Sequence, residues 1–250
     1  MSKSKIILMS IVTFVLILSL VISIYFRTID RNKKEALEKL YTETMKEVDE
    51  VTIQIDAYLK EHPSLIFSAT AYIMMEKCEA YKQIKLIGIR AIKPLYDKIV
   101  RNNESDGDNI IYLQLFADIY TIAIKDIMSQ NFSDKFLYSK EFGIAFLSFM
   151  NKIPDEYKSI KKSKELNSEE KIAKISDLGL GVVPYLIEDI KEGIKPKNLY
   201  KKALTTILIE RNQISSSKNI SSDIENFDVK NWIKENQLEY ELLREITNNE

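Results

Sequence analysis

Residues 6–26 (IILMSIVTFVLILSLVISIYF) run for 21 positions without a charge, between Lys5 and Arg27. As a helix rising about 1.5 Å per residue, such a stretch covers about 30 Å, the thickness of a bilayer's hydrocarbon core. It predicts a single transmembrane anchor helix behind a short basic tail at residues 1–5. After Arg27 the pattern becomes amphipathic. Leu37, Leu40, Tyr41, Met45, Val48, Val51, Ile55, Tyr58 and Leu59 recur mostly at steps of three and four, with Glu, Lys and Asp between them. This predicts one long juxtamembrane helix over residues 30–60, within a segment 27–63. Its stripe needs a partner, either the chain's own later helices or a second copy in a coiled coil, although Ile53 and Tyr58 blur the heptad. His62-Pro63 stops the helix, because the residue before proline is pushed out of the helical region.

Residues 64–77 (SLIFSATAYIMMEK) are apolar almost all round and predict a buried central helix, with Ser64 as its cap. Residues 81–87 and 91–100 follow as two helices divided at Gly88. Residues 109–129 and 139–153 predict two more, and the polar, lysine-rich residues 154–164 predict a connector. Residues 198–212 are expected to pair with 182–191 as an outer helix. Residues 215–223 (SSSKNISSD) read as a flexible linker within 215–225. The last segment, 226–250, carries an amphipathic helix over 228–246 that either docks as a cap or offers its face to a partner. Trp232 and Tyr240 are its candidate partner-contact residues.

One local pattern occurs twice. Ile87-Gly88-Ile89-Arg90-Ala91-Ile92-Lys93-Pro94-Leu95 returns as Leu178-Gly179-Leu180-Gly181-Val182-Val183-Pro184-Tyr185-Leu186, and upstream Glu79, Ile84 and Ile87 align with Glu170, Ile175 and Leu178. A glycine ends a helix because it enters the left-handed region without a Cβ clash, and a proline sits well in the first turn of the next helix. Both copies resemble the L-G-x-x-A-V-P-x-L turn of HEAT-type helical repeats. In the first copy Lys93 stands where proline is usual and Pro94 falls one step later. The resemblance implies an all-α, irregular HEAT-like stack of helical hairpins over residues 64–214, a short α-solenoid-like domain. Its repeat-turn residues would be Gly88, Ala91, Pro94, Leu95, Gly179, Val182, Pro184 and Leu186. It also implies a scaffold for protein contacts with no catalytic residues to carry over.

Composition narrows the picture. Six Gly and five Pro in 250 residues suit long helices and leave too few turn residues for a many-stranded β architecture. With 36 Lys and Arg against 37 Asp and Glu, no overall field recruits nucleic acid. A cleaved signal peptide competes with a retained anchor, but the apolar run exceeds the usual ~7–15-residue core and lacks a good small-x-small cleavage triplet. The single cysteine, Cys78, excludes an intramolecular disulfide framework and a multi-cysteine zinc site. Orientation evidence is divided. Arg27, Arg31, Lys33, Lys34 and Lys39 outnumber Lys3 and Lys5, which favours a cytoplasmic C-terminal domain. A short basic tail ahead of a first hydrophobic helix is, however, the layout of a signal anchor that exports the chain behind it. Export is the preferred reading: a single-pass cell-membrane protein with an extracytoplasmic domain.

Candidates for chemistry are few. His62 is the only histidine and sits beside Pro63 at a helix break. Cys78 lacks a neighbouring base. Residues 102–109 (NNESDGDN) approximate a calcium loop, but the twelfth position is Leu113 instead of a bidentate Glu. Lys158, Lys161, Lys162, Lys164, Lys191, Lys195, Lys197, Lys201 and Lys202 read as solvated surface, with binding of an anionic polymer or head group as the alternative. The expectation is a non-enzymatic, cofactor-free and metal-free scaffold at a membrane, contacting the bilayer through residues 6–26 and a protein partner, with a second copy through the 30–60 helix as a further candidate. A sensory or accessory subunit of a membrane complex is the rival reading.

Overall fold

The computed structural model describes residues 3–63, 75, 77–101, 109–120, 139–211 and 226–247. Among these every regular element is helical. They are α1 (Lys3–Glu61), α2 (Glu79–Ile87), α3 (Ile92–Arg101), α4 (Asn109–Tyr120), α5 (Ser139–Lys162), α6 (Ser168–Asp177), α7 (Val183–Glu192), α8 (Lys197–Glu210) and α9 (Val229–Thr247). Two 3₁₀ turns, Gly88–Ala91 and Gly179–Val182, join α2 to α3 and α6 to α7. Most of the expected helix at 64–77, residues 102–108 and 121–129 and the linker at 215–223 lie outside the described residues.

No Gly or Pro occurs before Pro63, so nothing interrupts the backbone ladder of α1 until Glu61. The chain divides into two units, residues 1–40 and 41–250. In the first, the large apolar side chains from Val12 to Ile29 are exposed, Phe14 at 66% and Tyr25 at 63%. Alone among the described residues, α1 is long and apolar enough to cross a membrane, with a best window of mean hydropathy 2.2 and none of that window buried.

The second unit is organised around two helical hairpins of the same design. In each, a helix ends at a glycine with positive φ, a 3₁₀ turn follows, and the next helix starts at once. In the first, α4 packs on both α2 and α3; in the second, α8 packs on both α6 and α7. A long helix precedes each hairpin. The part of α1 from Tyr41 onward buries Val48, Val51, Ile55 and Leu59, the predicted stripe, and α5 buries Phe146, Met150, Ile153 and Tyr157. α3 packs against α5, and α9 returns to touch α3, α5 and α7, so the C-terminal helix is docked across both hairpins. It buries Val229, Ile233, Tyr240, Leu242, Leu243 and Ile246.

The connector expected at 154–164 is instead largely helix, because α5 continues through Pro154 to Lys162. An interior proline forfeits one backbone hydrogen bond and crowds the preceding turn, at a cost of about 3 kcal/mol. The stripe Phe146, Met150, Ile153, Tyr157 and Ile160 keeps its steps of four and three straight past the proline. Burial of Ile153 and Tyr157, each worth about 1.5–3 kcal/mol, offsets that cost.

Candidate functional site

The glycines of the two 3₁₀ turns have φ of 70° at Gly88 and 67° at Gly179. Only glycine adopts these values without steric cost, so the turn can leave the first helix and enter the second with no intervening loop. Ala91, Leu95, Val182 and Leu186 are fully buried on the second helices or at their entrances. Pro184 is the second residue of α7, where its missing N–H has no helical acceptor to lose. Pro94 is the third residue of α3, one place deeper, as the sequence spacing requires. Gly181 has a different reason to be glycine: a Cβ there would overlap Ile153 Cδ1, lie 2.9 Å from the Tyr120 hydroxyl and meet Met150 sulfur at 3.1 Å.

On α9, Tyr240 is buried and Trp232 half-buried, with their rings 5.2 Å apart and Phe227 6.4 Å from Trp232. Both therefore face the chain's own core. Arg244, one turn beyond Tyr240, donates to the Pro184 carbonyl at 2.9 Å and to Glu188 at 3.0 Å, and lies 4.7 Å over the Tyr185 ring. This clamps α9 to the start of α7. His62 closes α1, with Nδ1 2.9 Å from the Tyr58 carbonyl and its ring stacked on Tyr58. Cys78 is buried immediately before α2.

A set of polar contacts escaped the sequence reading. Four tyrosines each donate a hydrogen bond from one helix to an aspartate on another. Tyr41 on α1 reaches Asp97 on α3 at 2.6 Å, and Tyr81 on α2 reaches Asp118 on α4 at 2.9 Å. Tyr112 on α4 reaches Asp56 on α1, and Tyr157 on α5 reaches Asp189 on α7 at 2.5 Å. A lysine lies 5.0 to 6.0 Å over each of these rings: Lys93 on Tyr41, Lys85 on Tyr81, Lys98 on Tyr112 and Lys161 on Tyr157. In three of the four the lysine also pairs with the same carboxylate, Lys93 with Asp97 at 2.7 Å, Lys85 with Asp118 at 3.6 Å and Lys161 with Asp189. A buried carboxylate is tolerated only when donors surround it, and each cluster supplies them from a neighbouring helix. Burial first, and then the Asp189 carboxylate, push the Tyr157 hydroxyl well above its ordinary range, so it remains a donor at any physiological pH. The available signal was an acid set among the apolar positions of a helix, as Asp97 is beside Tyr96 and Asp189 beside Ile190.

Lys161 is thus not the solvated surface residue expected. It stands between two hollows. One, of about 290 Å³, is bounded by Pro154, Lys158, Lys162, Tyr185 and Glu188. The other, of about 330 Å³, lies between the end of α5, the start of α6 and the loop into α8, and is lined by Lys161, Ser168, Lys171, Lys195, Leu199 and Tyr200. Asn167 also lines it. Asn167 caps α6 through hydrogen bonds from the N–H groups of Glu169 at 2.9 Å and Glu170 at 3.0 Å, while Glu170 accepts the Asn167 N–H at 2.8 Å. This reciprocal pair holds the first turn of α6 in place. The Lys195–Pro196 peptide on the opposite wall is cis.

Among the described residues no group of three His, Cys, Asp or Glu side chains could hold a metal ion. Compared with protein-family models, curated proteins and solved structures, the chain gives no match.

Proposed function

We propose that this chain is a single-pass membrane protein, anchored by residues 6–26, whose helical unit is a HEAT-like protein-interaction module without catalytic activity. The observation that carries the reading is the exposed apolar face of α1. Its side chains from Val12 to Ile29 have no protein cover over a length that fits a bilayer. Leaving a large aliphatic or aromatic side chain in water forgoes about 1.5–3 kcal/mol, and the segment holds more than a dozen of them, so lipid is the natural environment. The repeat reading rests on the two glycine-led 3₁₀ turns and on the packing of a third helix across each hairpin. Surfaces of stacked hairpins are commonly used to bind other proteins. Reading residues 6–26 as a signal anchor places the helical unit outside the cytoplasm, against the count of Arg27, Arg31, Lys33, Lys34 and Lys39 over Lys3 and Lys5.

Two measurements on cells producing the full chain test this. After an alkaline carbonate wash the intact polypeptide is expected in the membrane pellet, and deletion of residues 1–29 is expected to release it. Added protease should remove the helical unit from intact cells. Recovery of the protein in the soluble fraction without its first two dozen residues would overturn the anchor, and protection from protease until the cells are lysed would reverse the orientation.

A further inference from the structure

The second hollow, between α5, α6 and α8, is lined by three lysines. Lys161, Lys171 and Lys195 carry ammonium groups, each with three N–H donors and no acceptor. Lys161 is held by Asp189 on its inner side, and Lys171 is positioned by a hydrogen bond to the Lys161 carbonyl at 3.2 Å. Lys195 makes no ion pair among the described residues. The nearby acids are otherwise engaged: Asp189 by Tyr157 and Lys161, Glu170 by the Asn167 N–H, and Glu169 toward Lys202 at 3.8 Å.

A tyrosine adds a neutral donor to the lining. Tyr200 is only 5% exposed and lines this cavity, yet its hydroxyl forms no hydrogen bond among the described residues. Other buried tyrosine hydroxyls in the unit have a protein partner, an aspartate at Tyr81 and Tyr157 and the Met150 sulfur at Tyr120. Its oxygen keeps contact with solvent and so is available to a partner in the cavity. Burial, and then Asp189, raise the Tyr200 pKa, which keeps the hydroxyl protonated and able to donate.

We propose that this cavity binds the phosphate group of a small phosphate-bearing molecule, with Lys161, Lys171 and Lys195 supplying charge and the Tyr200 and Ser168 hydroxyls supplying hydrogen bonds. Several converging point charges and hydroxyls suit an anion with acceptor oxygens on all sides, whereas a carboxylate is better matched by the flat fork of an arginine, and none lines the cavity. At about 330 Å³ the space is that of a small-molecule site and not of a polymer groove. The apolar wall formed by Leu199, Ile175 and Pro196 would pack on the remainder of the ligand. The phosphate could belong to a soluble ester or to a lipid head group.

The test uses the full chain, first in nonionic detergent, with inorganic phosphate as probe and phosphorus NMR line broadening or calorimetry as readout. Saturable binding that weakens as sodium chloride is raised is expected. The double variant Lys171→Gln/Lys195→Gln should lower the affinity by about tenfold or more, and Tyr200→Phe by several-fold, with unchanged melting temperatures. Reconstitution in phosphatidylcholine bilayers with or without phosphatidic acid then separates the two sources. If a lipid head group occupies the cavity, phosphatidic acid weakens phosphate binding in the wild type but not the residual binding of the double variant. If the ligand is soluble, both bilayers give the same affinity. Absence of saturable phosphate binding, or equal affinities for the wild type and both variants, would overturn the proposal.

Discussion

Tyr157→Phe isolates one hydroxyl at the junction of α5 and α7. Tyr157 is 4% exposed and its hydroxyl donates to Asp189 Oδ2 at 2.5 Å, while Lys161 contacts the same oxygen. The variant keeps the ring, its packing against Tyr185 and its place beneath the Lys161 ammonium. It removes one charge-assisted hydrogen bond and leaves a buried carboxylate with a single donor. Hydrogen bonds to charged groups contribute about 1.5–3 kcal/mol, which for a unit of this size corresponds to a fall in Tm of roughly 3–12 °C. Thermal unfolding of the full chain in detergent, followed by circular dichroism at 222 nm, measures it. Tyr185→Phe serves as control, because that hydroxyl is hydrogen-bonded to nothing among the described residues and should shift stability by no more than about 0.5 kcal/mol. A second arm repeats Tyr157→Phe in an Asp189→Asn background, where the loss should shrink by about 1 kcal/mol or more, since the charge that strengthened the bond is gone. Equal Tm values for Tyr157→Phe and Tyr185→Phe, or an undiminished loss in the Asp189→Asn background, would refute the reasoning.

Other outcomes follow from the same packing. Gly179→Ala forces an L-residue to φ 67° and should cost about 1–2 kcal/mol, read from a denaturant midpoint. Gly181→Ala instead drives a methyl into Ile153 and Tyr120, and pairing it with Ile153→Val should recover part of its loss while leaving that of Gly179→Ala unchanged. Burial raises the hydroxyl pKa values of Tyr120, Tyr157 and Tyr240 above the ordinary 10.0. Their protons are held more tightly in the folded state, so stability present below pH 10 should fall as pH rises further, and absorbance at 295 nm should show these three ionising only as the protein unfolds. Burial also raises the Glu239 carboxyl, with Arg90 opposing it. Its ionisation costs the folded state more than the unfolded one, so Glu239→Gln should gain stability relative to wild type between pH 4 and 7, and an unchanged difference across that window would exclude the carboxyl as its cause. Ser176 buries a hydroxyl with no partner among the described residues, and Ser176→Ala should raise the denaturant midpoint, by about 1 kcal/mol in stability.

Helix content was legible because it depends on short-range regularities. The three-and-four spacing of Val48, Val51, Ile55 and Leu59 marks the face of α1 that is buried, and His62-Pro63 marks its end. Gly88 and Gly179 mark the sharp turns because no other residue enters that backbone region cheaply. At Pro154 two local signals conflicted. The polar composition of 154–164 argued for a loop, while Tyr157 and Ile160 continued the stripe of α5, and the stripe prevailed because it had a core to cover. The tyrosine–aspartate contacts and the lysine-lined cavity were not legible in the same way. Tyr157 and Asp189 are 32 residues apart and Tyr41 and Asp97 are 56 apart, with no spacing rule to connect them. Lys195 read as one more surface lysine, and no spacing connects it with Lys161 or Lys171, which share a cavity lining with it only in the fold.

Taken alone, the amino-acid sequence determined that this protein is built of helices, where most of them turn, and that one stretch is free of charge over a bilayer's thickness. These are properties of neighbours along the chain, set by side-chain periodicity and by the backbone freedom of Gly and Pro. Only the tertiary structure decided which acids lie buried, which tyrosines satisfy them, and that three lysines and Tyr200 line one cavity. Those outcomes depend on distances between residues remote in sequence, and charge burial, hydrogen bonding and cavity formation have no counterpart in an unfolded chain.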